Sequence, residues 1–331
     1  MKIMSIIGTR PQYIKVKPLY DYFKNKCNHV IVDTLQHYSD SVSKNVISDL
    51  NLKIDYFLGS DNKDEIHFIS EIMVKIQKII TKEQPDVILV FGDTNSTFCS
   101  SLVAYKMNKK VCHIEAGLRC GDKNVPEEIN RIFTDSVSDI NFCSSYSALP
   151  NISNGIYCGD LEYELLNNIN PEITYSDFGV MTIHRQENCN LEKLNNIIDY
   201  CDSINKKIIF PVHHRMANLI NKISLPNNVN IVDPLPYNRM VELMAQCSFI
   251  FTDSGGIQKT SAFFGKKTLV FRNKTEWIET EKENFSKKYD NLVDDIRWVL
   301  EKENIRNKRL YLDSSLMPSQ IILNNIKKEI S

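Results

Sequence analysis

The sequence lacks the apolar stretch of roughly 18 residues that a membrane-spanning helix requires. It also lacks an excess of basic residues, because 40 lysines and arginines stand against 41 aspartates and glutamates. Neither a membrane nor a nucleic acid is therefore an expected partner. The opening residues, 1–8, contain only a short apolar run that ends at Gly8. This run predicts a first strand and no signal peptide.

The nine cysteines include no C-x-x-C pair. Their number is odd, and most lie in apolar runs, where cysteine behaves as a small buried hydrophobe. Scattered thiols of this kind are typical of the reduced state that prevails in the cytoplasm. We therefore expect a cytoplasmic protein without a zinc site or any other metal centre.

The chain of 331 residues is too long for one ordinary core and predicts two domains of about 150 residues each. Short apolar runs alternate with helical patterns throughout, which predicts an α/β fold with parallel sheets and right-handed crossovers. The stretch 168–174 has no periodicity and is the predicted linker. The expected domains are residues 1–168 and 169–331, facing each other across a cleft, with the last helix packing back on the first domain.

The predicted strands and helices follow from the periodicity of the apolar residues. The strands are expected at 2–7, 29–33, 86–91, 111–114, 140–143, 178–183, 207–212, 229–232, 248–252 and 268–271. The helices are expected at 12–23, 41–50, 64–81, 95–107, 127–137, 191–203, 215–223, 238–246, 257–264, 290–302 and 319–329, with a short helix, a turn and a further helix within 145–168.

Acidic side chains follow two buried strands and open the next helix. Asp93 comes after strand 86–91, Glu115 after strand 111–114, and Glu127 stands on the first turn of a helix. The carboxyl ends of parallel strands share one edge of a sheet, and ligands bind there. Three carboxylates at one edge therefore predict an acid–base site.

Each acid also has a purely structural interpretation. Asp93 caps helix 95–107 in that interpretation, and Glu115 pairs with Arg119. Glu127 favours the helix N-terminus and pairs with Arg131 four residues on. These local roles do not explain why all three acids fall at the same edge.

Two turns have the composition of anion-binding loops. Asp253-Ser254-Gly255-Gly256 follows a strand and opens a helix, whose free N–H groups attract anions. Gly8-Thr9-Arg10-Pro11 has the matching place in the first half, where Arg10 suits a phosphate. Neither turn is a G-x-G-x-x-G or Walker loop. The sequence therefore lacks the signatures of dinucleotide-dependent oxidoreductases and of kinases.

Histidines follow two strands of the second half, at His184 and at His213-His214. A loop histidine is most often polar surface, and adjacent histidines make a poor metal pair. At the predicted cleft, each histidine is also able to donate to a phosphate or to act as an acid near neutral pH.

Six ordered motifs resemble those of the non-hydrolysing UDP-N-acetylglucosamine 2-epimerases. They are Gly8-Thr9-Arg10-Pro11-x-x-Ile14-Lys15, Gly92-Asp93-Thr94, Glu115-Ala116-Gly117-Leu118-Arg119, Pro126-Glu127-Glu128-x-Asn130-Arg131, Pro211-Val212-His213 and Thr252-Asp253-Ser254-Gly255-Gly256-Ile257-Gln258. The resemblance implies two Rossmann-like domains of the glycosyltransferase-B type, a UDP-sugar substrate, no cofactor and a homodimer.

The resemblance also implies a reaction. UDP is eliminated to give a 2-acetamidoglucal and is added back after a proton returns to C2 on the opposite face. The implied catalytic residues are Asp93, Glu115, Glu127, Arg131 and His184. The implied UDP ligands are Arg10, Lys15, His213, Ser254, Gly255, Gly256 and Thr260.

Some residues depart from the family pattern. Thr260 stands where the family commonly has a glutamate that grips the ribose, and Gln12 replaces a usual glutamate. Such variants resemble the branch that acts on 6-deoxy or diacetamido UDP-sugars. Near Gln36-His37 the sequence keeps only part of the pattern of the family's bacterial regulatory site. We therefore do not expect allosteric activation by substrate.

Three other functions remain open from the sequence. A hydrolysing 2-epimerase releases UDP and free sugar, and a non-catalytic protein only binds the nucleotide sugar. A retaining glycosyltransferase of the same architecture has no need of the three acids.

Overall fold

The computed structural model describes residues 1–36, 46–60, 64–212, 214–301 and 315–330. Most of the predicted helix 41–50, the residues after Gln36 in the regulatory pattern, and His213 lie outside this range. The chain divides into two compact units. The N-terminal unit comprises Met1–Asn168 and Tyr311–Ser331, and the C-terminal unit comprises Ile169–Leu310. The first boundary between the units lies between Asn168 and Ile169, at the start of the stretch 168–174.

The N-terminal unit contains a seven-stranded parallel sheet in the order β3-β2-β1-β4-β5-β6-β7. The strands are β1 (Lys2–Ile7), β2 (Asn28–Asp33), β3 (Tyr56–Phe57), β4 (Val87–Phe91), β5 (Lys110–Ile114), β6 (Ile140–Cys143) and β7 (Gly155–Tyr157). Every residue of β4 is buried, as a strand covered on both faces requires. The order reverses between β1 and β4, and this switch point is where ligands of such sheets bind.

The helices of the N-terminal unit connect these strands. They are α1 (Arg10–Phe23), α2 (Glu65–Glu83), α3 (Asn95–Lys106), α4 (Pro126–Val137), α5 (Leu161–Ile169) and α12 (Pro318–Ile330), the last one closing the chain. In α2 the buried residues recur at every fourth position from Phe68 to Ile80, which gives the helix one apolar face. This face packs on β1, β2 and β4 through Met4, Val30 and Ile88.

The last helix, α12, is fixed to this unit at its start. The Ser319 N–H and hydroxyl both donate to the buried Glu164 carboxylate, at 2.8 and 2.5 Å. Glu164 belongs to α5, and α12 also packs against α1. A buried acceptor thus satisfies one of the free N–H groups that begin the helix.

The C-terminal unit contains a six-stranded parallel sheet in the order β10-β9-β8-β11-β12-β13. The strands are β8 (Phe178–Thr182), β9 (Lys207–Pro211), β10 (Val229–Val232), β11 (Phe249–Thr252), β12 (Lys267–Val270) and β13 (Ser286–Lys288). The helices are α6 (Leu191–Ser203), α7 (His214–Ile220), α8 (Tyr237–Gln246), α9 (Gly255–Phe263), α10 (Ile278–Lys282) and α11 (Leu292–Leu300). The switch point of this sheet lies between β8 and β11.

The core of the C-terminal unit is rich in aromatic side chains. Phe251 and Phe271 meet edge to face with ring centroids 5.7 Å apart, and Tyr200 packs on Phe271 at 5.3 Å. The prediction of an α/β fold with parallel sheets is confirmed. Short elements were missed, namely β3, β7, β13 and α10.

Candidate active site

The switch point of the N-terminal sheet places two predicted turns side by side. Residues Gly8 to Arg10 follow β1, and Gly92 to Thr94 follow β4. Gln12 of α1 joins them, because its side-chain oxygen accepts the Gly8 N–H at 2.7 Å. Its amide nitrogen donates to the Phe91 carbonyl at 2.6 Å. Arg10 begins α1 and is exposed at this edge.

The two acids that follow β4 and β5 stand on turns of unusual backbone conformation. Gly92 has φ of +64°, and Glu115 itself has φ of +68°. The left-handed region is uncommon for a residue other than glycine, and such strain clusters at functional sites. Gly117 follows with φ of +80°, and a methyl group there would lie 2.6 Å from the Ala148 carbonyl oxygen. The turn after β5 is therefore closely packed and requires glycine.

Two mostly buried cations pair with these acids. Lys15 of α1 forms an ion pair with Glu115, and Arg131 of α4 forms one with Asp93. Both cationic side chains are only 12% exposed. Asn130 also donates to the Asp93 carbonyl oxygen at 3.0 Å. Each carboxylate is therefore held by a basic residue from a neighbouring helix.

The pKa of the Asp93 carboxyl is raised above its usual value. Burial is the largest cause, although 31% of the side chain still meets solvent. The charges of Glu115 and Glu127 raise the pKa further, whereas Arg131 and Lys15 lower it. The structure thus brings the three predicted acids and both cations into one electrostatic cluster.

The neighbouring glutamates of α4 have different environments. Glu127 is exposed, whereas Glu128 is buried and accepts the N–H groups of Cys120 and Gly121 at 2.9 and 3.1 Å. Burial favours the neutral form of Glu128, but these hydrogen bonds outweigh it and lower its pKa. Arg131 bonds Glu128 at 3.2 Å as well as Asp93.

The structural roles considered for two of the acids go to other residues. Thr94, rather than Asp93, caps α3 by accepting the Thr97 N–H. Arg119 pairs with Asp135 at 2.6 Å, while Glu115 pairs with Lys15. These assignments leave the carboxylates of Asp93 and Glu115 in the cluster at the switch point.

A buried group behind this cluster was not predicted from the sequence. His113 of β5 is fully buried, and its ring nitrogens lie 2.7 Å from Asp135 and 2.7 Å from the Gly92 carbonyl. Asp135 also accepts the Gly117 N–H and the Arg119 guanidinium. Asp33, at the end of β2, is a further buried acid that was missed.

The switch point of the C-terminal sheet is organised around Asp253. This buried carboxylate accepts the backbone N–H groups of His184 and Arg185, at 3.1 and 2.9 Å, and the Asn188 amide at 3.0 Å. The His184 ring lies 3.3 Å from the same carboxylate and is 40% exposed. Asp253 therefore fixes the turn after β8 against the turn after β11.

The turn after β11 leads directly into α9. The Ser254 hydroxyl caps this helix by accepting the Ile257 N–H at 3.4 Å. A methyl group on Gly256 would have no neighbour closer than 3.8 Å, so the helix start is open at Gly256, whereas Gly255 packs against Glu276. An open helix N-terminus has the geometry of an anion site.

Thr260 lies inside the unit and not at this opening. Thr260 is only 2% exposed, and its hydroxyl donates to the Gly256 carbonyl at 2.8 Å. Among the residues that the structure describes, no group of three or more His, Cys, Asp or Glu side chains is placed to hold a metal ion. Within the same ranges no helix is long and apolar enough to cross a membrane.

The two parallel sheets belong to the α/β class of the glycosyltransferase-B type. A glycosyltransferase from Streptomyces nogalater has this fold, with a TM-score of 0.66 over 99% of both chains at 11% identity. A sequence profile of the UDP-N-acetylglucosamine 2-epimerases matches residues 23–315. The chain therefore belongs to this family of isomerases, and the resemblance drawn from the motifs is confirmed.

Several relatives cover most of the chain. A UDP-N-acetylglucosamine 2-epimerase homolog of Methanococcus maripaludis is 37% identical over 307 residues, covering 85% of this chain and 86% of the relative. The UDP-2,3-diacetamido-2,3-dideoxy-D-glucuronate 2-epimerase of Pseudomonas aeruginosa is 34% identical, covering 84% and 85%. The UDP-GlcNAc 2-epimerase of Methanocaldococcus jannaschii, solved in complex with UDP-GlcNAc and UDP, superposes with a TM-score of 0.85 at 28% identity, covering 99% and 100%.

We predict that Asp33 makes stability depend on pH. Burial raises its pKa to about 6 from 3.8, although the Leu35 N–H and the Tyr13 hydroxyl oppose this rise. The folded state therefore keeps a proton that the unfolded chain releases, and stability falls as the pH rises from about 4 to about 6. Asp33→Asn should remove this loss and gain about 2–3 kcal/mol at pH 7.5, with no gain below pH 4.

Urea unfolding followed by circular dichroism at pH 3.8 and 7.5 measures the difference between the variant and the wild type. Tyr13→Phe is the matched variant, because it removes a hydrogen bond that favours the ionised Asp33 and should extend the loss to higher pH. An equal effect of Asp33→Asn at both pH values would contradict the prediction.

Proposed function

We propose that the protein inverts C2 of a UDP-2-acetamido-2-deoxy sugar without releasing UDP. The family membership supports this reaction, and the cluster of Asp93, Glu115 and Glu127 with two cations is the observation that carries it. The substrate is UDP-N-acetylglucosamine or a 6-deoxy or diacetamido relative. The Pseudomonas aeruginosa enzyme, named for such a modified sugar, supports the wider range.

The chemistry explains why several carboxylates are needed. The C2 proton of such a sugar is barely acidic, because no carbonyl group adjoins it. Cleavage of the C1–O bond must therefore lead, and positive charge builds up on the anomeric carbon. Carboxylates stabilise this charge, and one of them removes the C2 proton to give the 2-acetamidoglucal. A second acid returns a proton to the other face before UDP adds back.

The raised pKa of Asp93 suits a group that exchanges protons. A carboxyl with a raised pKa keeps its proton to a higher pH than an ordinary carboxyl, so it can donate that proton as a general acid. Burial and the neighbouring acids raise the pKa of Asp93 in this way. Glu115 and Glu127 are proposed to share the acid–base work. Arg131 and His184 are proposed to orient the reacting groups, since each bonds an aspartate at a switch point.

The proposed ligands of UDP are positively charged groups and free N–H groups. Arg10, Lys15 and His213 supply charge, and Ser254, Gly255 and Gly256 supply the start of α9. Thr260 is proposed to support the start of α9 indirectly, because its hydroxyl donates to the Gly256 carbonyl. The enzyme must retain UDP in the site, because release of UDP before it adds back would make the net reaction a hydrolysis.

Glu115→Gln should lower kcat by about 10²–10⁴-fold while the protein stays folded. Glutamine keeps the shape of the side chain but cannot exchange a proton. The wild type, incubated with UDP-N-acetylglucosamine and with 6-deoxy and diacetamido UDP-sugars in deuterium oxide, should incorporate deuterium at C2. Proton NMR follows the exchange.

Glu192→Gln is the control, because Glu192 is an exposed acid of α6. Phosphorus NMR of the same samples separates retention from hydrolysis, since accumulating UDP identifies a hydrolysing enzyme. Binding of UDP-sugar without exchange in any sample would indicate a non-catalytic binding protein.

Gly256→Ala should weaken UDP binding by about 10–100-fold, because a methyl group would occupy the open face of the helix start. The fold should be unaffected, because the new methyl group meets no atom within 3.8 Å. Gly255→Ala is the comparison: its methyl group would lie 2.6 Å from the Glu276 carboxylate and should lower the melting temperature. Calorimetric titration with UDP and thermal unfolding measure the two effects. Unchanged UDP affinity of the folded Gly256→Ala protein would exclude this helix start as the UDP site.

The functional assembly is proposed to be a homodimer in the cytoplasm. The family resemblance supports the dimer, and so do the side chains of Ile129 and Ile132 on α4, which are 45% and 38% exposed. Sedimentation velocity at micromolar concentration should give twice the mass of the chain. The mass of a single chain would refute the dimer.

A further inference from the structure

We infer that His113 is a positioning residue for Asp93 and that it acts as a doubly protonated imidazolium. The inference rests on the proposed function, because it concerns the acid–base work of Asp93. His113 does not lie among the reacting groups. It is fully buried in β5, behind the turn that carries Asp93.

The hydrogen bonds of His113 determine its protonation state. One ring nitrogen, Nε2, lies 2.7 Å from the Gly92 carbonyl oxygen. A carbonyl oxygen only accepts hydrogen bonds, so Nε2 must carry a proton. The other nitrogen, Nδ1, lies 2.7 Å from Asp135 Oδ1.

Asp135 is ionised in this environment. Its carboxylate accepts the Gly117 N–H at 3.3 Å and pairs with the Arg119 guanidinium at 2.6 Å. An ionised carboxylate also only accepts, so Nδ1 carries a proton as well. The ring is therefore a cation.

This cation fixes the backbone of Asp93. The Gly92 carbonyl oxygen belongs to the peptide group that precedes Asp93, and His113 holds it. The Asp93 carbonyl oxygen belongs to the peptide group that follows, and Asn130 holds it at 3.0 Å. The Gly92 N–H is bound in turn to the Ile114 carbonyl at 2.9 Å. Both peptide groups beside the Asp93 Cα atom are thus tethered to elements other than β4.

The same network reaches the second turn. Asp135 accepts the N–H of Gly117, which stands two residues after Glu115 in the left-handed turn. His113 and Asp135 together therefore set the turn after β4 and the turn after β5 relative to each other. Positioning of this kind matters for catalysis, because a displacement of about 1 Å can cost roughly a hundredfold in rate.

Two neutral substitutions separate the two hydrogen bonds. The amide of His113→Gln reaches the position of Nε2 and keeps a donor for the Gly92 carbonyl. The amide of His113→Asn reaches the position of Nδ1 and keeps the contact with Asp135. Both variants lose the ring and leave a similar void. If His113 had only a structural role, the two variants should have similar activity.

We expect kcat of His113→Gln to fall by about tenfold and that of His113→Asn by about a hundredfold, with KM for the UDP-sugar within about twofold of the wild type. Calorimetric titration with UDP counts the folded sites, so that kcat refers to competent protein. His29→Gln is the control: His29 is a partly buried histidine of β2 in the same sheet, and its loss should leave kcat unchanged. Equal activity of both His113 variants, or full activity of His113→Asn, would overturn the assignment.

Nitrogen-15 NMR of histidine-labelled wild-type protein at pH 7.5 tests the protonation state directly. His113 should show two ring N–H protons and the nitrogen shifts of a cation. His29 should show the shifts of a neutral ring, because burial lowers its pKa to about 4. A neutral His113 ring would overturn the inference even if neither variant folds. If the wild type turns over no UDP-sugar, the proposed function fails, whereas the NMR result for His113 stands on its own.

Discussion

The acidic cluster of the N-terminal unit depends on two ion pairs. Carboxylates that crowd together repel one another and shift towards their neutral forms unless cations stabilise the charged state. Lys15 and Arg131 provide these cations. Each stands in the second turn of its helix, α1 or α4, so the packing of these helices on the sheet sets the protonation of the cluster. The fold therefore determines the acid–base chemistry through the placement of two helices.

The balance within the cluster is uneven. Burial and the neighbouring acids prevail over Arg131 and Lys15 at Asp93, whose pKa is raised. At Glu128 and Asp135 hydrogen bonds prevail over burial, and these pKa values are lowered. Neighbouring acids of one sheet edge are thus divided into one whose pKa is raised and two whose pKa values are lowered and whose carboxylates hold the backbone. This division is the pattern expected of an acid–base enzyme.

Long apolar runs made most of the fold predictable from the sequence. The run 86–91 predicted β4 because a strand buried on both faces is apolar throughout, and the turn residues behind it pointed to Asp93. The strands β3, β7 and β13 were missed because two or three residues show no periodicity. The pairing of His113 with Asp135 was also hidden, because only the fold brings together residues 22 positions apart. Asp33 was missed because an acid at a strand end gives no sign in the sequence of complete burial.

The departures from the family pattern differ in their consequences. Gln12 uses both functions of an amide, accepting from Gly8 and donating to Phe91. An ionised glutamate only accepts, so the amide adds a link between the turns after β1 and β4. Thr260 instead turns its hydroxyl back to the Gly256 carbonyl of its own helix. The first substitution is explained by local hydrogen bonding, whereas the second places a short, buried side chain where the family pattern has a glutamate.

The ends of the two sheets have a consequence for the behaviour of the chain in a concentrated solution. Each sheet finishes on short strands, of two and three residues in one and four and three in the other. An outermost strand exposes backbone N–H and C=O groups that a foreign chain can pair with, and a short strand offers few of them. Lys287 and Lys288 add positive charge to one of these borders. The brevity that hid β3, β7 and β13 from sequence-based prediction is thus a safeguard against ordered aggregation.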